Sequence, residues 1–205
     1  MAALRTALAS AALLLAGGAL LGWATDGFRA FTTESARRLA VQRAPVAVPN
    51  LILQDQSGHR FALADLRGRW LLVDFIYTSC PTLCLALGGD FAQLQAALAR
   101  PIAQDRVVLL SITFDPVRDT ADRLTDYLNR FGSHGAGWRA ARPLDAAALA
   151  RLERTFGITV IADGVGGYTH NGGIHLVDPH GRLVQILDSG NPAAVAREAE
   201  RRLRS

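Results

Sequence analysis

Cys80 and Cys84 are the only cysteines in this chain of 205 residues, and they sit in the stretch Thr-Ser-Cys-Pro-Thr-Leu-Cys, residues 78–84. Two thiols with three residues between them can close a disulfide, reduce another protein's disulfide or hold a soft metal ion. They follow an apolar run, 70–77, whose aromatic and β-branched content is that of a central strand covered on both faces. A helical pattern starts at about Cys84, so the thiols stand at a helix N-terminus, where unpaired amides and the helix dipole favour a thiolate. Pro81 suits an early helical position, because its missing N–H is not needed there. If the turn is helical, the i to i+4 spacing puts both sulfurs on one face, able to bond to each other or to converge on one ion.

Zinc commonly takes four protein ligands, and two cysteines with scattered histidines match no usual finger spacing. Two thiolates with one imidazole suit copper: soft sulfur favours Cu(I), and the imidazole lets Cu(II) be held as well. Five histidines are available. His59 and His180 fall in turns, and His134 in the glycine-bounded loop 132–137. His175 alternates with Ile174 and Leu176 in a strand, which reads as a sheet position facing away from the core. His170 stands at the end of a loop leading into that strand. In a thioredoxin-like fold this loop faces the cysteine turn, which makes His170 the candidate third ligand. Asp74, six residues before Cys80, has two readings. It is either a buried acid/base for disulfide exchange or a strand residue at a polar edge.

Several elements must position these groups. Residues 51–63 read as a small hairpin around a Gly-containing turn, and 70–77 and 106–114 as core strands. Between the strands, Leu87, Phe91, Leu94 and Leu98 mark a helix from about Cys84 to Arg100, closed by Pro101. A second helix has Asp119 as N-cap, with Leu124, Tyr127, Leu128 and Phe131 on one face and Gly132 as its stop. A third runs from Asp145 through Leu149, Leu152 and Phe156 to Gly157. A hairpin over 174–188 follows, then a last helix capped by Asn191 with Pro192 at its first position. Strands alternating with helices, then a closing hairpin and helix, predict a four- or five-stranded α/β sandwich. The order strand, cysteine turn, helix is that of the thioredoxin-like folds.

Half the residues are hydrophobic, enough for a core that needs no disulfide staple. The net charge is +4, every basic residue is Arg, and the densest cluster lies in residues 197–204. That cluster reads as a solvated helix end, and no nucleic-acid partner is expected. Residues 6–25 carry no charge, and at about 1.5 Å per residue they span a bilayer core of roughly 30 Å. The run ends in Trp23 without a small-residue cleavage pattern, which favours an uncleaved single-pass anchor over residues 1–25. Residues 26–48 read as a stalk without sustained periodicity, and 49–205 as the folded domain. Arg5 precedes the span while Arg29, Arg37 and Arg38 follow it, so charge does not orient it and the chemistry must.

The stretches 63–84, 109–127, 137–152 and 168–184 together resemble the Sco/SenC family of membrane-anchored, thioredoxin-like copper proteins that help assemble the binuclear copper site of cytochrome c oxidase. Cys80, Pro81 and Cys84 reproduce the family's cysteine motif, and Asp115, Pro116, Arg118, Asp119 and Thr120 its acidic-proline segment. The family's distal histidine falls on His170. The resemblance implies copper held by Cys80, Cys84 and His170 and passed to an oxidase subunit. It also implies a domain in the periplasm and an anchor in the bacterial inner membrane. Asp74 looks like the buried aspartate of thioredoxin, which leaves thiol–disulfide exchange on copper-ligand cysteines as the alternative, with Cys80 attacking and Cys84 resolving. The sequence departs from the family at Leu85, where a proline is frequent. It departs again at Asn171-Gly172-Gly173, expected to loosen the loop that holds the histidine.

Overall fold

The computed structural model describes residues 2–80, 83–133, 137–164 and 166–204. Pro81 and His134, both singled out above, lie outside them. The chain divides into two compact units, 1–44 and 45–205.

The first unit holds α1, Ala2–Ala24, and α2, Thr33–Arg43. No residue of α1 is buried, and its most apolar window has a mean hydropathy of 1.8, so length and composition allow it to cross a membrane. The segment expected to be an aperiodic stalk contains α2. Thr32 caps this helix by accepting from the Ser35 amide, and Glu34 pairs with Arg37 and Arg38 one turn on. Short charged pairs, rather than an apolar stripe, support it, and hydrophobic periodicity therefore misses it.

The second unit is built on a sheet of eight strands among the described residues, in the order β1-β10-β9-β4-β5-β6-β2-β3. The strands are β1 (Val46–Ala47), β2 (Ile52–Asp55), β3 (Arg60–Ala62), β4 (Trp70–Ile76), β5 (Val107–Thr113), β6 (Trp138–Pro143), β9 (Ile174–Val177) and β10 (Arg182–Leu187). A separate antiparallel pair is formed by β7 (Val160–Ala162) and β8 (Tyr168–His170). The expected count of four or five strands is too low. Strand β6, Trp-Arg-Ala-Ala-Arg-Pro, lacks β-branched residues, and β1 and β3 are only two and three residues long. At the centre β4, β5 and β6 run parallel, and β9 pairs antiparallel with β4. All seven residues of β5 are buried, as a doubly covered strand requires.

Helices α3 (Leu83–Ala97), α4 (Ala99–Ala103), α5 (Ala121–Arg130), α6 (Ala146–Phe156) and α7 (Pro192–Arg204) complete the unit. Leu87, Phe91, Leu94 and Leu98 are all fully buried, so the face read from their spacing is the packed one. Pro101 does not close α3. It is the third residue of α4, where the first-turn amides have no helical acceptor and a proline is tolerated. Asp145 caps α6 through the Ala148 amide and Gly157 ends it at φ 63°, as expected. Asn191 likewise caps α7 through the Ala194 amide.

Gly88 lets α3 approach α5. A Cβ there would lie 2.3 Å from the Phe131 ring, which itself packs on Tyr127 and Trp138. Gly88→Ala should lower stability in urea unfolding by about 1–3 kcal/mol, although alanine is the better helix former.

Candidate metal and dithiol site

Strand β4 delivers Tyr77, Thr78 and Ser79 to the sheet's upper end, and α3 carries the chain away from it. Cys80 and Cys84 are therefore fixed at both sides, and they are 6% and 1% exposed. Both are thiols in this structure. The Cys84 amide donates to the Cys80 sulfur at 3.3 Å, as expected of a helix N-terminus facing an electron-rich sulfur. Burial pushes the Cys84 thiol well above the ordinary thiol range, with smaller contributions from Cys80 and Asp74.

His170 reaches this turn from the far side of the sequence. Its Nε2 stands 3.9 Å from the Cys84 sulfur. Metal–sulfur and metal–imidazole bonds of about 2.3 and 2.1 Å sum to about 4.4 Å, so one ion could bond both atoms at a bent angle without either moving. Among the described residues, no three His, Cys, Asp or Glu groups already form a metal-holding cluster. The structure thus joins Cys84 to His170 and Cys80 to the Cys84 amide, but it does not close all three donors on one point.

The ring lies at the end of β8, a strand where a loop is expected from the sequence. It is half-buried against Phe114, with centroids 4.8 Å apart, and close to Tyr77. Its Nδ1 faces the Asn171 carbonyl at 3.2 Å. Burial holds the imidazole below its usual pKa, which keeps the ring neutral and its lone pair available. Asn171 does not loosen the loop. Its side chain donates to the Gly157 carbonyl at 2.8 Å and accepts from the Thr159 amide at 2.7 Å, which ties the histidine to the end of α6.

The turn between β5 and α5 holds both halves of the site. Asp119 was expected to cap α5, but Thr120 does so by accepting from the Arg123 amide. Asp119 is buried and instead accepts from the Thr78 amide at 3.0 Å, the Thr78 hydroxyl at 2.6 Å and the Thr113 hydroxyl, which fastens the cysteine turn to β5. One residue earlier, Arg118 pairs with Asp115 and donates to the Gly166 carbonyl at 2.7 Å. It also lies 5.1 Å over the Tyr168 ring. Tyr168 donates its amide to the Tyr77 hydroxyl, so the histidine hairpin is latched to the same turn. The motif 115–120 was visible in the sequence, but this double role was not, because Asp119 also fits the position before a helix.

Asp74 is fully buried in β4, and among the described residues neither carboxyl oxygen has a hydrogen-bond partner. Burial raises its pKa to about 7, and the Ser111 hydroxyl, engaged by the Trp138 indole, offsets this only partly. The polar-edge alternative is excluded. His175 corrects a second expectation: it faces the core, 1% exposed, with Nδ1 3.2 Å from the Val73 carbonyl and its ring edge-on to Phe75 and Phe156. His59, in the β2–β3 turn, and His180, in the β9–β10 turn, are exposed and take no part in the site.

Fold and site together define a thioredoxin-like domain whose Cys-x3-Cys turn is faced by a histidine. The family model described as SCO1/SenC matches residues 42–204. A protein of Stutzerimonas stutzeri is 30% identical over 141 residues, 67% of each chain. The mitochondrial SCO2 homologue of Bos taurus is 28% identical over 206 residues, 97% of this chain and 75% of its own. The structure of Bradyrhizobium japonicum ScoI with copper bound aligns at a TM-score of 0.64 and 25% identity, covering 76% of this chain and 98% of that one. A SCO1/SenC family lipoprotein of Bacillus anthracis shares the fold at a TM-score of 0.68 and 21% identity, covering 78% and 97%. The chain belongs to the SCO1/SenC family.

Two outcomes follow from this geometry. Asp119→Ala should destabilise the domain by about 3 kcal/mol and speed alkylation of both thiols several-fold, since it removes charged hydrogen bonds that hold their turn. Asp74→Asn should leave stability unchanged below about pH 3, where the carboxyl is protonated in both folded and unfolded chains. The wild-type protein loses stability as pH rises from 3.8 through about 7, because only the unfolded chain ionises freely. The variant's advantage in denaturant melts should therefore grow to about 4 kcal/mol at pH 8, at 1.36 kcal/mol per pH unit.

Proposed function

We propose that this protein carries copper on Cys80, Cys84 and His170 and passes it to a copper-receiving subunit of a respiratory cytochrome c oxidase. The observation that supports this most is the 3.9 Å approach of the His170 ring to the Cys84 sulfur, across 86 positions of sequence. The relative solved with copper bound adds to it. Two soft thiolates and one imidazole can hold copper in either oxidation state, and a three-donor site leaves room for an incoming ligand from the acceptor. In this reading α1 is a single-pass anchor in the bacterial inner membrane, and the domain works in the periplasm.

The cargo ion supplies its own driving force against the high thiol pKa, because a coordinating cysteine binds as thiolate. Copper loading of the reduced protein should therefore release protons, and apparent affinity should fall as the pH is lowered. The neutral His170 ring needs no such displacement.

One observation favours a second role. Asp74 is buried on the strand that feeds the dithiol, its carboxyl is held near neutrality, and its charge acts on Cys84. In thiol–disulfide exchange Cys80 would attack the target disulfide as a thiolate and form a mixed disulfide. Cys84, its proton taken by Asp74, would then attack the Cys80 sulfur and expel the target's thiolate, closing the Cys80–Cys84 disulfide and leaving the target reduced.

His170→Ala separates the readings. Copper titration of the reduced variant should show affinity lowered by at least an order of magnitude, with loss of imidazole coordination, while disulfide reduction continues at the wild-type rate. Unchanged copper affinity would remove His170 from the site and leave disulfide exchange as the better reading.

A further inference from the structure

The end of the domain opposite the cysteines carries a cleft of about 360 Å³, lined by Arg100, Arg106 and Arg204 against a single carboxylate, Glu200. All three arginines are exposed. Arg106 is fixed by donation to the Leu203 carbonyl at 2.7 Å, which ties the start of β5 to the end of α7. Two other basic groups near this end are paired, Arg69 with Asp105 and Arg182 with Asp178. Among the described residues the lining carries three arginines to one carboxylate, an excess of positive charge.

Topology gives the cleft its meaning. Arg106 precedes β5 and the cysteines follow the parallel β4, so the two sites occupy opposite ends of the same strands. Seven residues of β4 at about 3.3 Å each separate them by about 20 Å or more. The chain also joins the domain at the arginine end. Val46 and Ala47 pair with Leu183 and Arg182 at the start of β10, and the Val48 amide donates to the Gly181 carbonyl in the adjoining turn.

We propose that this arginine-lined end is a docking surface for anionic phospholipid headgroups, and that it holds the domain with its cysteine–histidine site facing away from the bilayer. The proposal rests on α1 being a membrane anchor. Each arginine near an anionic surface adds a modest attraction, too little to recruit a protein alone but enough to orient one already tethered, where the effective lipid concentration is high. The site would then meet its partner about 20 Å above the surface.

The test uses the full chain reconstituted in nanodiscs, one set of phosphatidylcholine alone and one enriched in phosphatidylglycerol. Phenylglyoxal modification of arginines is followed site by site by mass spectrometry. Arg100 and Arg204 should react several-fold more slowly in the anionic discs, and high salt should abolish the difference. Arg123, on α5 beside the cysteine turn, should react equally in both. Equal rates at Arg100 and Arg204 in the two lipids, whether both fast or both slow, would overturn charge recognition while leaving the anchor intact. Failure of the chain to enter either disc would overturn the anchor and this proposal together.

Discussion

Contact between the Cys84 sulfur and the His170 ring is the constraint on which the rest of the structure turns, because it joins segments 86 residues apart. The main sheet alone does not make it. Pairing of β9 with β4, Val73 opposite His175, brings the right part of the chain near, but His170 lies outside that ladder. The remaining distance is closed by β8, by the Asn171 side chain holding the end of α6, and by Arg118 latching the hairpin from the next turn. Aromatic packing of Tyr77, Phe114 and Tyr168 fills the space behind the ring. The result is an imidazole aimed by several weak constraints rather than by one strong bond.

The same turn, 113–120, holds the other half. Asp119 fixes Thr78 just before the first cysteine, while Arg118 fixes the histidine hairpin, so adjacent residues control both donors. Local opening of this turn would separate sulfur and nitrogen together. In the proposed carrier role, donors coupled in this way would give up an ion in one event. Burial of the dithiol contributes a second property. It disfavours the Cys84 thiolate until a metal or a reacting disulfide replaces the proton, which protects the pair when it is idle.

Much of this was legible in the sequence where one residue has one dominant physical use. The apolar strands β4 and β5, the helix over the uncharged N-terminal run and the helix caps Asp145 and Asn191 all behave as their chemistry predicts. The misreadings share a cause. Asp119, Asn171 and Pro101 each fit a local rule, as cap, loop loosener and helix stop, yet long-range partners or the next helix determine what they do. His175 fits an outward strand position by alternation, but β9 is covered on both faces, and alternation carries no information there. Strand β6 and helix α2 lack the periodic signal because neighbouring strands and charged pairs, not an amphipathic pattern, support them.

X-ray absorption at the copper edge of the reduced, copper-loaded wild-type protein tests the central claim most directly. Two sulfur scatterers together with one imidazole are predicted. A shell of sulfur alone, or one with no histidine signature, would contradict the account and leave the closeness of His170 to Cys84 without a metal-binding role.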